Sequence, residues 1–97
     1  MKVEFEPAAE DEFLRAVRWY AKEAGVEIAI AFDDEVQRTL ALLVNNAYAA
    51  SAAAHGLRQF PLRRFPYTLH FRLEPSLLRI VAVAHQSRMP DYWLDIE

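Results

Sequence analysis

The sequence predicts an α+β fold in which an N-terminal strand and an antiparallel helical hairpin precede a small, mainly antiparallel sheet (β-α-α-β-β-β). In the first half, apolar residues recur at three- and four-residue steps, which is the period of amphipathic helices. After Gly56 they alternate with polar residues, which is the period of strands. Helices grouped before a run of strands favour a helical layer packed on one sheet face. A length of 97 residues indicates a single domain over residues 1–97.

The first half of the chain contains one short strand and the two helices. Residues 2–5 alternate polar and apolar side chains, and Pro7 suits the first helical turn because its missing N–H needs no partner there. Gly25 ends the first helix, and Asn45 and Asn46 end the second. So short a connection makes the two helices a hairpin. Their apolar faces consist of Phe13, Leu14, Val17, Tyr20, Ala21 and Ala24, and of Ala29, Phe32, Val36, Leu40 and Leu43.

The second half predicts three strands. Residues 47–56 are interpreted as a loop, with or without one helical turn, because their alanines form no clear apolar face. The strands are predicted at residues 57–62, where Pro61 favours an edge position, at 67–74 and at 77–84. The last of these is nearly all apolar, which is typical of a central strand. Residues 89–97 are expected to form a short C-terminal turn or helix.

The composition excludes several classes of protein. It is 54% hydrophobic with a net charge of −3, which is too apolar for a disordered chain. No cysteine is present, which excludes disulfides and thiolate chemistry. Neither His55 nor His70 has companions at ligand spacing, and no glycine-rich phosphate loop occurs, so we expect neither a metal nor a cofactor. Without a signal peptide or an apolar stretch of ~20 residues, the expected location is the cytoplasm, with no membrane partner.

Charge is distributed unevenly along the chain. Residues 1–50 contain five Lys or Arg against ten Asp or Glu, which gives −5, whereas residues 51–97 contain six Arg against four acids, which gives +2. The six arginines lie between Arg58 and Arg88, with Glu74 as the only acid among them. Such asymmetry indicates a partner. The asymmetry leaves three explanations open, which are an acidic protein partner, a nucleic acid and a contribution to solubility.

Three stretches carry a resemblance to a known family: the opening FEPAAEDEFLRAVRWY, the central GLRQFPLRRFPYTLHFR and the closing RIVAVAHQSRMPDYW. Together, in this order, they resemble the RelE/ParE toxin superfamily over essentially the whole chain. The resemblance implies a toxin that is neutralised by a small antitoxin, whose amphipathic segments wrap the toxin surface. It also implies one of two targets, because RelE-type members cut messenger RNA in the ribosomal A site and ParE-type members inhibit DNA gyrase.

The residues favour the ParE branch. RNA cleavage requires cationic side chains near the scissile phosphate and a proton-transfer residue. Where the RelE-like pattern has two arginines, this chain has Thr68 and Gln86, although Arg88 and Tyr92 have counterparts. The acidic net charge also differs from the basic footprint of a nucleic-acid-binding module, so we do not expect direct nucleic-acid binding.

Candidate site residues follow from both branches. If the protein is a ribonuclease, His85, Arg88 and Tyr92 would form its acid–base cluster. A histidine at the end of a core strand is more often a structural hydrogen-bonding residue, so we favour no catalytic residue. Binding of the antitoxin or the target is assigned to Arg58, Arg63, Arg64, Arg72, Arg88 and Tyr92.

Aromatic residues divide between the core and contacts with other chains. Trp19 lies beside the apolar face of the first helix, where another chain would cover it. Trp93 is interpreted as a cap on the core, and Tyr92 fits either role. Arg63 and Arg64 precede Phe65, a basic and aromatic pattern that suits an antitoxin carboxylate as well as a nucleic acid.

The sequence therefore predicts a ParE-like toxin that binds proteins and has no active site of its own. Its resemblance implies DNA gyrase as the target and a cognate antitoxin in a heteromeric complex, with a heterotetramer as one candidate assembly. Two alternatives remain open. One is a RelE-like, ribosome-dependent messenger RNA endonuclease, and the other is a degenerate member that binds its antitoxin without being toxic.

Overall fold

The computed structural model describes residues 1–87, in which two helices pack against a five-stranded sheet. The helices are α1 (Pro7–Glu23) and α2 (Val26–Asn45). The strands are β1 (Lys2–Phe5), β2 (Ser51–Ala52), β3 (Arg58–Pro61), β4 (Tyr67–Glu74) and β5 (Leu77–His85). This architecture confirms the predicted α+β class. The turn or helix predicted for residues 89–97 lies outside the described residues.

The sheet has the strand order β1-β5-β4-β3-β2. β1 pairs with β5 in parallel, and the other neighbouring strands are antiparallel. β5 therefore lies between two strands, as its apolar sequence predicts. Pro61 ends β3 beyond the two residues that pair with β2, so its missing N–H is at an edge, which is also as predicted.

Gly25 joins the two helices into the hairpin. Its φ of 105° lies in the left-handed region that favours glycine, and its N–H donates to the Tyr20 carbonyl at 2.9 Å. Its own carbonyl accepts the N–H groups of Ile28 and Ala29, so one residue ends α1 and begins α2. The predicted stop at Gly25 is confirmed. Neither helix within residues 1–87 is long and apolar enough to cross a membrane.

Residues 47–56, predicted as a loop, add a strand to the predicted order. Two 3-10 turns flank the two-residue strand β2, which pairs with β3. From β3, the Arg58 guanidinium donates to the Ala50 carbonyl at 3.0 Å and lies 4.4 Å from the centre of the Tyr48 ring. The pairing thus depends on contacts with the strand that follows, and the alanine-rich pattern of residues 47–56 does not indicate it.

An aromatic cluster centred on Phe32 forms the core between the helices and the sheet. The Phe32 side chain is fully buried, and its ring centroid lies 5.2–5.9 Å from those of Phe13, Tyr20, Phe65 and Tyr67. These rings belong to α1, β4 and the β3–β4 connection, so the cluster joins the hairpin to the sheet. Aromatic pairs at such distances stabilise a fold beyond their simple burial.

We expect Phe32→Ala to lower the free energy of unfolding by about 3–5 kcal/mol, because it replaces a fully buried ring by a cavity. Urea denaturation followed by circular dichroism measures this loss. Ile30→Ala is the matched control, since Ile30 lies on the same helix and is 55% exposed, and it should change stability by about 0.5 kcal/mol or less. Equal losses in the two variants would contradict the central position of Phe32.

Candidate functional site

A buried carboxylate, Glu35 of α2, holds the connection between β3 and β4. Glu35 is only 7% exposed, and its Oε2 accepts the backbone N–H groups of Arg63 at 2.7 Å and of Arg64 at 3.1 Å. Its Oε1 accepts the Nε–H of Arg64 at 3.0 Å. Successive backbone N–H groups that converge on one point form a small anion-binding concavity. Here the protein's own carboxylate occupies it.

The charge of Glu35 is compensated within the fold. Burial favours the neutral acid and by itself would raise the pKa of Glu35. The hydrogen bonds from Arg64 and Arg63 outweigh burial, so the pKa is lowered from its ordinary value of 4.5. Glu35 is therefore ionised at neutral pH, and the Arg64 guanidinium is occupied by this pair.

An open cleft of about 500 Å³ lies beside this link, between α2 and the β3–β4 connection. We call it the arginine cleft, and its lining consists of Glu35, Arg38, Thr39, Leu42, Phe60, Arg63 and Arg64. Arg38 and Arg63 are exposed. Within residues 1–87 neither of these two guanidinium groups makes a hydrogen bond or an ion pair. Among the described residues, the positive charges of Arg38 and Arg63 therefore have no compensating partner in the cleft.

The four arginines within residues 1–87 that are predicted to bind a partner do not form one continuous patch. Arg64 is bound to Glu35, and Arg58 holds residues 47–56 against β3. Arg63 alone of the predicted residues within 1–87 adds an uncompensated guanidinium to the arginine cleft. Arg88 and Tyr92 lie outside the described residues.

Arg72 lies on a different face of the sheet from the arginine cleft. The odd-numbered residues of β4 pack against the helices, so Arg72 points to the opposite face, where it pairs across the strands with Arg79. Arg79 donates to Glu74 at 2.9 Å and 3.4 Å, and it lies 3.7 Å from Glu4 and 3.9 Å from Glu6. Hydrogen bonding to Arg79 lowers the pKa of Glu74. These carboxylates offset the like charges of the arginine pair.

A second concave surface of about 570 Å³ lies between α1 and the end of β5. We call it the aromatic groove, and its lining consists of Glu12, Arg15, Ala16, Trp19, Tyr20, Pro66, Tyr67, Val83, His85 and Ser87. Trp19 is 57% exposed, and its ring meets the Tyr20 ring edge-on with the centroids 5.2 Å apart. A large exposed aromatic side chain beside an apolar groove is typical of a protein-binding surface.

Glu12 closes the edge of β5 beside the aromatic groove. β1 ends at Phe5, and the Glu6 N–H donates to the Ile80 carbonyl at 2.8 Å. Farther along β5, Glu12 Oε1 accepts the Val83 N–H at 2.9 Å. The carboxylate thus takes the place of a neighbouring strand and satisfies an edge donor that would otherwise be open to another chain.

His85, the candidate proton-transfer residue, lies at the end of β5 and lines the aromatic groove. Its Nδ1 accepts the backbone N–H of Ser87 at 3.1 Å and contacts the Ser87 hydroxyl at 2.7 Å. The Tyr67 ring meets the imidazole edge-on at 5.0 Å. These contacts fit a residue that closes the turn after β5.

Burial raises the pKa of the two tyrosines that line the aromatic groove. The neighbouring Tyr67 adds to the effect on Tyr20, and the charge of Glu12 adds to the effect on Tyr67. Both phenols are neutral at physiological pH, so they contribute apolar rings and hydrogen bonds rather than a base. Among residues 1–87 no group of three or more His, Cys, Asp or Glu is placed to hold a metal ion.

Solved structures identify the class of fold to which this arrangement belongs. One match is described as the chromosomal ParDE TA system from P. aeruginosa, with a TM-score of 0.75. The match covers 88% of this chain and 95% of that chain at 18% sequence identity. At this identity the similarity establishes the fold alone.

The family is established by sequence. The family model described as the ParE toxin of the type II toxin–antitoxin system parDE matches residues 3–90. Because this range spans most of the sequence, the chain belongs to the ParE toxin family. The resemblance to the RelE/ParE superfamily, and to its ParE branch, is confirmed. A search of curated proteins gives no significant match.

Three side chains that organise these surfaces were not among the predicted site residues. Glu35 follows Asp33 and Asp34, and the run has the pattern of a solvated helix face. Glu35 lies three residues after Phe32, on the apolar side of the helix. This spacing is the feature of the sequence that indicates that one of these acids is buried. Glu12 lies in the acidic run at the start of α1, where the helix dipole by itself accounts for negative side chains. The sequence does not identify Arg38 as a site residue, because the other side of its cleft is formed by β3 and the β3–β4 connection, which are distant in the chain.

We expect Glu35→Gln to lower the free energy of unfolding at pH 7 by about 2 kcal/mol, because it removes the charge that accepts three hydrogen bonds. The folded-state pKa of Glu35 is lowered, so the ionised group stabilises the fold above pH 4.5. This contribution is lost as the pH falls through the folded-state pKa. The difference between the wild type and E35Q should therefore decrease as the pH is lowered below 4.5.

Urea denaturation across a pH series measures that difference. Glu23→Gln is the control, because Glu23 is an exposed glutamate at the end of α1 and should change stability by about 0.5 kcal/mol or less. A difference for E35Q that stays constant on acidification to about pH 3 would show that the charge of Glu35 does not stabilise the fold.

Proposed function

We propose that this type II toxin inhibits DNA gyrase by protein binding and is neutralised by a cognate antitoxin in a heteromeric complex. Membership of the ParE toxin family supports the type of system, and the gyrase target extends the ParE-like resemblance to this chain. The observation that carries the proposal is the aromatic groove with its exposed Trp19, which is a surface suited to another protein. A heterotetramer is the assembly that we propose to test first.

The chemistry near the end of β5 supports binding over RNA cleavage. Thr68 and Gln86 occupy the positions where the RelE-like pattern has arginines, and both lie at the same end of the β4–β5 pair. Neither side chain can stabilise a phosphate by charge. His85 contacts Ser87 through Nδ1 and has no ion pair with another residue of 1–87.

Parallel assays of gyrase supercoiling and cell-free translation test the target. We expect the purified toxin to inhibit supercoiling and the antitoxin to reverse this effect, with translation unchanged. Cleaved messenger RNA with unaffected gyrase would contradict the proposal. His85→Gln, Arg88→Ala and Tyr92→Phe would then be the variants that locate the cleavage site. Antitoxin binding without either activity would identify a non-toxic member of the family.

We expect Trp19→Ala to weaken antitoxin binding by at least about tenfold in Kd, because buried tryptophans dominate the energy of many interfaces. Titration calorimetry with the full-length antitoxin measures this change. Tyr48→Ala is the matched control, since Tyr48 is 73% exposed and lies in the segment between α2 and β2, away from the groove lining. Equal weakening by both substitutions would contradict a specific role for the groove.

A further inference from the structure

We propose that the arginine cleft binds a carboxylate-bearing, amphipathic segment of the antitoxin. This inference rests on the proposed function, because it requires that an antitoxin binds the toxin. It adds the place on the surface, the two side chains that recognise the partner and the chemical character of the segment that they accept.

The charge of the cleft identifies the partner as acidic. Glu35 is the acid among the lining residues, and three hydrogen bonds from Arg63 and Arg64 already use its oxygens. Arg38 and Arg63 are exposed and form no ion pair within residues 1–87. Two free guanidinium groups beside an internally satisfied carboxylate form a local positive site on a chain whose net charge is −3. Carboxylates are suited to such a site because the guanidinium binds them through paired hydrogen bonds.

The cleft is preorganised by the same contacts. Arg63 and Arg64 each donate a backbone N–H to Glu35, so the connection that carries Arg63 is held against α2 before any partner binds. Arg38 lies one helical turn after Glu35 on the same helix. Both cations therefore stand on restrained backbone, which reduces the conformational entropy that would be lost on binding.

Apolar side chains next to the cations determine that the segment is amphipathic. Leu42 is one turn beyond Arg38 and is 46% exposed, and Phe60 of β3 is half-buried in the same cleft. An apolar side chain of the partner would cover Leu42 and Phe60 while its carboxylates reach Arg38 and Arg63. Apolar contacts bordered by polar pairs are the usual composition of protein interfaces, and arginine is enriched there.

The surroundings favour a protein partner over a nucleic acid. Asp34 is exposed one turn before Arg38, where the helix spacing would allow a pair, yet the two form no ion pair. An exposed carboxylate at this position repels a phosphate backbone, which presents negative charge continuously. A short peptide presents its carboxylates at a few points and can avoid it.

The test is the double charge reversal R38E/R63E, measured by titration calorimetry against the full-length antitoxin at two salt concentrations. We expect Kd to increase by about tenfold or more, with a smaller difference from the wild type at the higher salt concentration. Arg18→Glu is the matched control, because Arg18 is an exposed arginine of α1 outside the cleft and its reversal should leave Kd nearly unchanged. Thermal unfolding of each variant verifies that it is folded.

The outcomes separate the inference from the proposed function. If the wild type does not bind the antitoxin, both are wrong. If R38E/R63E binds as tightly as the wild type, only the assignment of the cleft is wrong. The milder variant R38Q/R63Q replaces the reversal if R38E/R63E unfolds, and it should again weaken binding relative to R18Q.

A labelled single-stranded RNA oligonucleotide and a labelled DNA duplex provide the remaining comparison. Binding of either one to the wild type, lost in R38E/R63E while the antitoxin still binds normally, would overturn the proposal and make the cleft a nucleic-acid site. Restored affinity between R38E/R63E and an antitoxin in which acidic residues are replaced by arginine would establish the charge pairing directly.

Discussion

The buried carboxylate of Glu35 is the interaction on which the remaining features of this protein depend. It joins the middle of α2 to the connection between β3 and β4 through two backbone N–H groups and one guanidinium. That connection leads directly to Phe65 and Tyr67, whose rings complete the aromatic cluster around Phe32. A buried charge is tolerated there because each oxygen has a donor, and the lowered pKa of Glu35 reflects this compensation. The link thus unites the hairpin, the core and the arginine cleft.

The short first strand leaves the later part of β5 without a neighbouring strand on that edge. β1 pairs with only the first part of β5, from Leu77 to Ile80. The helix that follows brings the Glu12 carboxylate to the Val83 N–H, where the strand has ended. The space beside this edge is the aromatic groove, with Trp19 exposed along it. Because a side chain closes this sheet edge, the aromatic side chains beside it are the surface that we propose for binding another protein.

The arginines of the second half illustrate how charge along a sequence differs from charge in space. Their clustering between residues 58 and 88 predicts a partner, and a partner surface is what we propose. Arg58, Arg64 and Arg79 nevertheless make internal contacts that hold the fold together, and Arg72 faces away from the helices. The proposed acidic-segment site instead combines Arg63 with Arg38, which comes from the acidic half of the chain.

The sequence by itself determined the α+β class, both helices, the strands over residues 67–74 and 77–84, and the ParE-like family. These follow from periodicity, from Gly25 and Pro7 as helix boundaries, and from motifs that are local in the chain. Tertiary structure decided four features. They are the strand β2, the burial of Glu35 among three consecutive acids, the hydrogen bond of Glu12 to the edge of β5, and the position of Arg38 and Arg63 in the same cleft. The last two join residues that are distant in sequence, so no local pattern of side chains could encode them. For Glu35, the spacing from Phe32 indicates the buried side of the helix but not the distant connection that the carboxylate binds. β2 lies close to its partner strand in the chain, but it consists of two exposed residues without an apolar pattern. Periodicity shows which face of a helix or strand is apolar, whereas only the packing of the folded chain shows which element contacts that face.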